Sequence, residues 1–182
     1  SHGNIASNVT TCCTLFSFNE QDECLSFLPL SHIFERMFGH YCMFHSGVVI
    51  NYAESVDTVA ADMQRWRPTL MASVPRLYEK IYGRVLDAVR AGPALKRSLF
   101  FWSKRVGEQA VEQRLANRRL SPALAAKLWL ADRLVFAKLR ARTGGRIRFF
   151  ISGGAPLSPD IAKFFHAAGM PRTRARQARP SR

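Results

Sequence analysis

"FFISGGAPLSPDIAKFF", residues 149–165, is the stretch whose reading decides the fold. An apolar run stops at the glycine pair Gly153–Gly154, Pro156 stiffens the exit, and the pattern from Pro159 onward is helical. Strand, tight turn, helix is the unit from which parallel sheets are built, because a chain leaving one strand must return along a face to start the next. Glycine takes backbone conformations that other residues avoid and lets the main chain come close to a neighbour, so the same turn can receive a flat ligand. The glycine pair alone leaves both readings open. It matches neither the Walker phosphate loop nor the dinucleotide GxGxxG pattern.

Working outward, the same unit recurs. "CLSFLP" (24–29), "GVVINY" (47–52), "TLMASV" (69–74) and "IRFFIS" (147–152) read as short buried strands bounded by Pro and Gly. Helical patterns lie between them. One covers residues 33–46; "SVDTVAADMQRW" has Ser55 as its N-cap; "PRLYEKIYGRVLDAVRA" opens on Pro75 at a favoured first helical position. The alternation predicts an α/β fold, a parallel-type sheet with covering helices. Residues 93–143 break the rhythm as a long helical insertion, with helices near 94–117 and 122–142 separated by "RRLSPAL". Leu95, Leu99, Phe100, Trp102 and Val106 mark the apolar side of the first, and Leu128, Trp129, Leu134, Val135 and Leu139 that of the second.

At 182 residues and 47% hydrophobic, the chain has material for one core, hence one domain. Its net charge of +14 is local. Residues 80–148 hold 17 Lys/Arg against 4 Asp/Glu, and the tail 172–182, "RTRARQARPSR", adds five arginines and no acid. That tail cannot bury anything and is expected to be disordered. The basic helices carry no nucleic-acid reader motif, which argues against a nucleic-acid partner. Their tryptophans and phenylalanines beside basic residues leave open peripheral membrane contact through 94–142; the bland alternative is an aromatic face packed on the sheet. Cys12, Cys13, Cys24 and Cys42 form no CxxC and read as reduced thiols of a cytoplasmic chain, free or membrane-associated, with no metal site.

"LPLSHIFER" (28–36) places His32 just past a strand's carboxyl end, where open α/β sheets bind ligands; a solvent-facing or capping role is the alternative. "SVPRLYEK" (73–80) repeats the design, with Arg76 and Tyr78 either touching an anion or lying on the helix surface beside Glu79.

"SHGNI" (1–5), "LPLSHIFER" (28–36), "YAESVDT" (52–58), "RPTLMASVPRLYEKIY" (67–82) and "ISGGAPLS" (151–158) occur in the order and spacing of one family. Over residues 1–171 the chain resembles the AMP-forming acyl-CoA synthetases, most of all the long-chain fatty-acid–CoA ligases. The resemblance implies a partial adenylation domain in which fatty acid and ATP give acyl-adenylate and pyrophosphate, and coenzyme A then displaces AMP. It implies that Gly153, Gly154, Ala155 and Pro156 line the adenine and acyl-adenylate pocket. It also implies that His32 orients the substrate carboxylate and that apolar residues around 33–46 and 73–78 wall the acyl chain. The family's phosphate loop, its Y-G-x-T-E motif with a Mg²⁺-binding glutamate, and its lysine-bearing C-terminal domain find no match here. The expectation is therefore a central piece of a ligase, inactive alone. The alternative is a basic membrane- or nucleic-acid-binding fragment without catalysis.

Overall fold

The structure, a computed structural model, describes residues 1–153 and 155–170. Four strands form one sheet: β1 (Glu23–Ser26), β2 (Val49–Tyr52), β3 (Leu70–Ser73) and β4 (Phe149–Ser152), in the order β2-β1-β3-β4. Every pairing is parallel, with Leu70 opposite Phe149 and Ser73 opposite Ser152 in β3–β4. The strands are shorter than the sequence pattern predicts, each trimmed at one or both ends.

Alternation along the strands sorts side chains to two faces. Leu25, Met71 and Phe150 enter one core, with α3 (Val59–Trp66), α4 (Pro75–Arg90), α5 (Ala94–Leu115), α6 (Pro122–Ala131) and α8 (Pro159–Ala167) over them. Cys24, Leu70, Phe149 and Ile151 enter the other, under α1 (His2–Leu15) and a π-helix, Glu35–Cys42, that runs on into α2 (Met43–His45). The two inner strands and β4 are covered on both faces and largely apolar, whereas the edge strand β2 leaves Val49 and Tyr52 half exposed.

The insertion is helical, as expected, but its buried face differs. Leu95 is 80% and Trp129 62% exposed, while Leu124, Ala131 and Phe136 are buried. The second helix is not one regular rod. α6 passes through a π-helical turn, Asp132–Phe136, before α7 (Ala137–Arg142). The wider turn brings Phe136 inward, and the packed line becomes Leu124, Leu128, Ala131, Val135 and Leu139. Tyr78, read from sequence as an anion contact or a surface group, is buried edge-on against Phe150 and Phe165, at 5.6 and 5.4 Å between ring centroids. Arg76 remains exposed.

Ser55 does not cap α3. The helix begins at Val59 with Thr58 at its N-cap position, and Ser55 exchanges hydrogen bonds with Thr58 in the turn before it. Gly169, at φ +75°, follows the end of α8 and supplies the left-handed turn its position predicts. The expected disorder of the tail falls outside the described residues.

The opposite, amino end of the sheet is locked by one carboxylate. Asp22, 2% exposed, accepts from Arg148 Nη1 (2.6 and 2.5 Å), Thr69 Oγ1 (2.7 Å) and the Asn19 amide (3.1 Å). One side chain thereby ties the entries of β1, β3 and β4. The ligand edge is left to the carboxyl ends.

Candidate functional site

At the carboxyl edge, residues 27–34 leave β1 and residues 153–158 leave β4. Pro29 ends the first strand's extension, and the His32 amide closes a turn onto the Pro29 carbonyl at 2.9 Å. Arg36 secures the turn from the π-helix, donating Nε to the Leu30 carbonyl (2.7 Å) and its amide to the His32 carbonyl (3.1 Å). His32 is exposed, and its Nδ1 accepts from the Phe34 amide at 3.3 Å. With Nδ1 as the acceptor, the neutral ring carries its proton on Nε2, which is then the free donor of the ring.

The two loops meet through Phe34. The ring lies where a side chain on Gly153 would stand, and a methyl there would collide with it. The Gly153 amide donates to the Ser73 carbonyl at 3.2 Å, so the glycine also fastens β4 to β3. Gly153 is thus a close-approach glycine, and the approaching group is an aromatic ring from the His32 loop. Ala155 and Pro156 are exposed beyond it; Gly154 lies outside the described residues. Phe34 also stacks on Phe38 at 6.2 Å.

Sequence reasoning passed over Phe34 and Glu35. Glu35 has the look of a surface charge, yet it is fully buried, accepts from Ser26 Oγ at 2.6 Å, and has no partner for Oε2 among the described residues. Burial pushes its carboxyl up to about 6, against the hydrogen bonds from Ser26 and the Phe27 backbone that hold it down. The available signal was Gly39, one helical turn on: a methyl at Gly39 would strike the Glu35 carboxylate. Asn51 Nδ2 and Ser152 Oγ, near the ends of β2 and β4, are likewise buried without partners among the described residues.

A groove of about 480 Å³ runs beside this loop, between α1 and the π-helix. Ile5, Cys12, Ile33 and Met37 give it an apolar wall, and His2 and Asn4 a polar one. All four cysteines are free thiols; burial pushes Cys24 up to about 12 and raises Cys42 further, so both are inert, while Cys12 and Cys13 are half-buried. No group of three or more His, Cys, Asp or Glu among the described residues is arranged to hold a metal ion.

The doubly covered parallel sheet with its loops at the carboxyl edge is the fold of the N-terminal domain of adenylate-forming enzymes. It superposes on the N-terminal domain of FACL13 from Mycobacterium tuberculosis with a TM-score of 0.54 at 17% identity, covering 91% of this chain and 29% of that one. The AMP-binding enzyme family model matches residues 1–176, and the chain belongs to that family. It is 35% identical over 164 residues to the peroxisomal long chain acyl-CoA synthetase 6 of Arabidopsis thaliana, over 90% of this chain and 22% of that protein. It is 36% identical over 160 residues to the long-chain-fatty-acid–CoA ligase 2 of Schizosaccharomyces pombe, over 84% of this chain and 22% of that protein. The chain spans about a fifth of the length of these relatives.

Proposed function

We propose that the chain forms the sheet core and one substrate edge of an AMP-forming long-chain fatty-acid–CoA ligase. The observation that carries this is the meeting of the His32 loop with Gly153 at the carboxyl edge of a parallel sheet, in a chain of the AMP-binding enzyme family. His32 Nε2–H is the donor that orients the fatty-acid carboxylate. Gly153, Gly154, Ala155 and Pro156 form the wall against which the adenine and acyl-adenylate lie, Phe34 moving off Gly153 to admit them. Ile33 and Met37 begin the acyl wall. In the intact enzyme a carboxylate oxygen attacks the α-phosphorus of ATP and pyrophosphate leaves; the coenzyme A thiol then attacks the acyl carbon and AMP leaves. This chain's residues bind and orient the acyl-adenylate.

Two measurements test this reading. A non-hydrolysable acyl-adenylate with a sixteen-carbon chain is expected to bind the 182-residue chain at least about tenfold more tightly than its acetyl counterpart, since each buried methylene contributes about 0.8 kcal/mol. His32→Ala is expected to weaken the long-chain analogue about five- to tenfold, the worth of one hydrogen bond. Fatty-acid-dependent ATP–pyrophosphate exchange by the 182-residue chain alone is expected to stay at background. Equal affinity for the two analogues refutes the acyl-adenylate assignment; exchange above background refutes the expected inactivity of the chain alone.

One observation favours a second, compatible contact. Trp129, Leu130 and Leu134 are exposed on α6 and the turn after it, with Arg133 stacked over the Trp129 ring at 5.6 Å and Lys127 and Lys138 exposed nearby. Among the described residues no helix is long and apolar enough to cross a membrane. We place the chain in the cytoplasm, touching anionic bilayers through this face, where a long-chain acid partitions. Flotation with phosphatidylglycerol vesicles but not phosphatidylcholine vesicles is expected, and its loss in Trp129→Ala; equal failure on both removes the contact.

A further inference from the structure

We propose that Glu35 is the positioning residue of the substrate edge: its carboxylate clamps residues 27–34 against the end of β1 and so sets the places of His32 and Phe34. The proposal rests on the reading of this edge as the acyl-adenylate site.

The geometry is that of a staple. Ser26 is the last residue of β1, Glu35 the first of the π-helix, and the Ser26 Oγ–Glu35 Oε1 hydrogen bond of 2.6 Å joins the two ends of the intervening loop. The Phe27 backbone lies beside the same carboxylate and, with Ser26, favours its ionised form. Everything between these anchors, His32 and Phe34 included, is held by that closure. Phe34 precedes Glu35 directly and carries the contact to Gly153, so a displacement of the carboxylate moves both the imidazole and the ring.

A structural filler would not be built this way. Glu35 is 0% exposed, has no salt bridge among the described residues, and leaves Oε2 without a donor there. A buried carboxylate without a countercharge lowers stability unless something else requires it. The facing titratable groups, Cys24 on β1 and Tyr52 on β2, supply no countercharge: burial first, and Glu35 after it, hold both in their neutral forms. Arg36, the adjacent cation, turns away to the Leu30 carbonyl. The missing countercharge, the orphan oxygen and the space kept for it by Gly39 fit a group retained to hold a site. A π-helical turn at this point is a further mark of such sites.

The sign of the pH dependence follows. The folded carboxyl sits near 6 and the unfolded one near 4.5, so its contribution to stability is fully present below about 4.5 and is lost as pH rises through about 6. Glu35→Gln keeps the acceptor for Ser26 and Phe27 and removes the charge. Its melting temperature is expected to match wild type near pH 4 and to exceed it at about pH 7.5.

The experiment is fluorine NMR of the full 182-residue chain with a single fluorine on the Phe34 ring, between about pH 4 and 8. The wild-type resonance is expected to shift with a midpoint near 6, and in Glu35→Gln to stay flat. Glu35→Ala is expected to move the resonance at every pH and to weaken the sixteen-carbon acyl-adenylate analogue about tenfold, with Glu35→Gln restoring most of that loss. A wild-type resonance flat through this range, or one unmoved in Glu35→Ala while that variant remains folded by circular dichroism, overturns the proposal. Should the label respond as expected while wild type binds no analogue, the clamp stands and the acyl-adenylate reading of the edge falls.

Discussion

Phe150→Ala is expected to lower the unfolding free energy by about 3–5 kcal/mol, a large share of the total that a single domain has. Phe150 is 1% exposed on the edge strand β4, pointing into the larger core. Its ring meets Tyr78 edge-on at 5.6 Å and lies across from Phe165 at 6.2 Å, so truncation removes the contacts of β4 with α4 and α8 together. These rings come from three separate parts of the chain, and they cannot close on the gap without moving the strand that carries Gly153. Phe150→Leu, which keeps most of the volume, is expected to lose about half as much. Urea unfolding followed by circular dichroism checks both. A midpoint unchanged in Phe150→Ala means that the sheet does not pack α4 and α8 as described.

Asp22→Ala is expected to destabilise the chain by about 2–4 kcal/mol. The carboxylate is buried and takes hydrogen bonds from Arg148, Thr69 and the Asn19 amide, so its removal strands three donors at once. The lower end of the range reflects the Arg148 side chain, 39% exposed and able to find water when its partner is gone. Thr69 has less freedom, because its hydroxyl also serves the Glu23 amide at 3.0 Å. A double-mutant cycle with Arg148→Met separates the ion pair from the rest: a coupling near zero assigns the loss to Thr69 and the turn. Neither residue is near the carboxyl edge, so affinity for an acyl-adenylate measured on the folded fraction is expected to remain that of wild type.

The parallel sheet was legible because its signals are local. Four apolar runs bounded by Pro or Gly on at least one side, each followed by a helical pattern, specify strand–helix units whatever lies elsewhere, and parallel pairing follows from the helical return. The site was half legible. His32 and Gly153 could be placed at strand ends from their neighbours in sequence, and the close approach to Gly153 follows from glycine's missing Cβ. That Phe34 makes that approach depends on two loops more than a hundred residues apart. The insertion shows the same limit: an ideal helical period assigns Trp129 and Leu134 to the buried face, and one π-helical turn changes which residues point inward.

Glu35 marks the boundary most clearly. In sequence it is one of 13 acidic residues in a strongly basic chain, and nothing adjacent distinguishes it from a solvated charge. Composition, strand ends, the glycine turn and the family likeness were properties of the sequence alone. The burial of Glu35, the Asp22 lock, the inward turn of Tyr78 and the ring over Gly153 were decided by the tertiary structure. Whether a side chain meets water or protein is set by elements that arrive from distant parts of the chain, and their spacing is not written in the pattern around it.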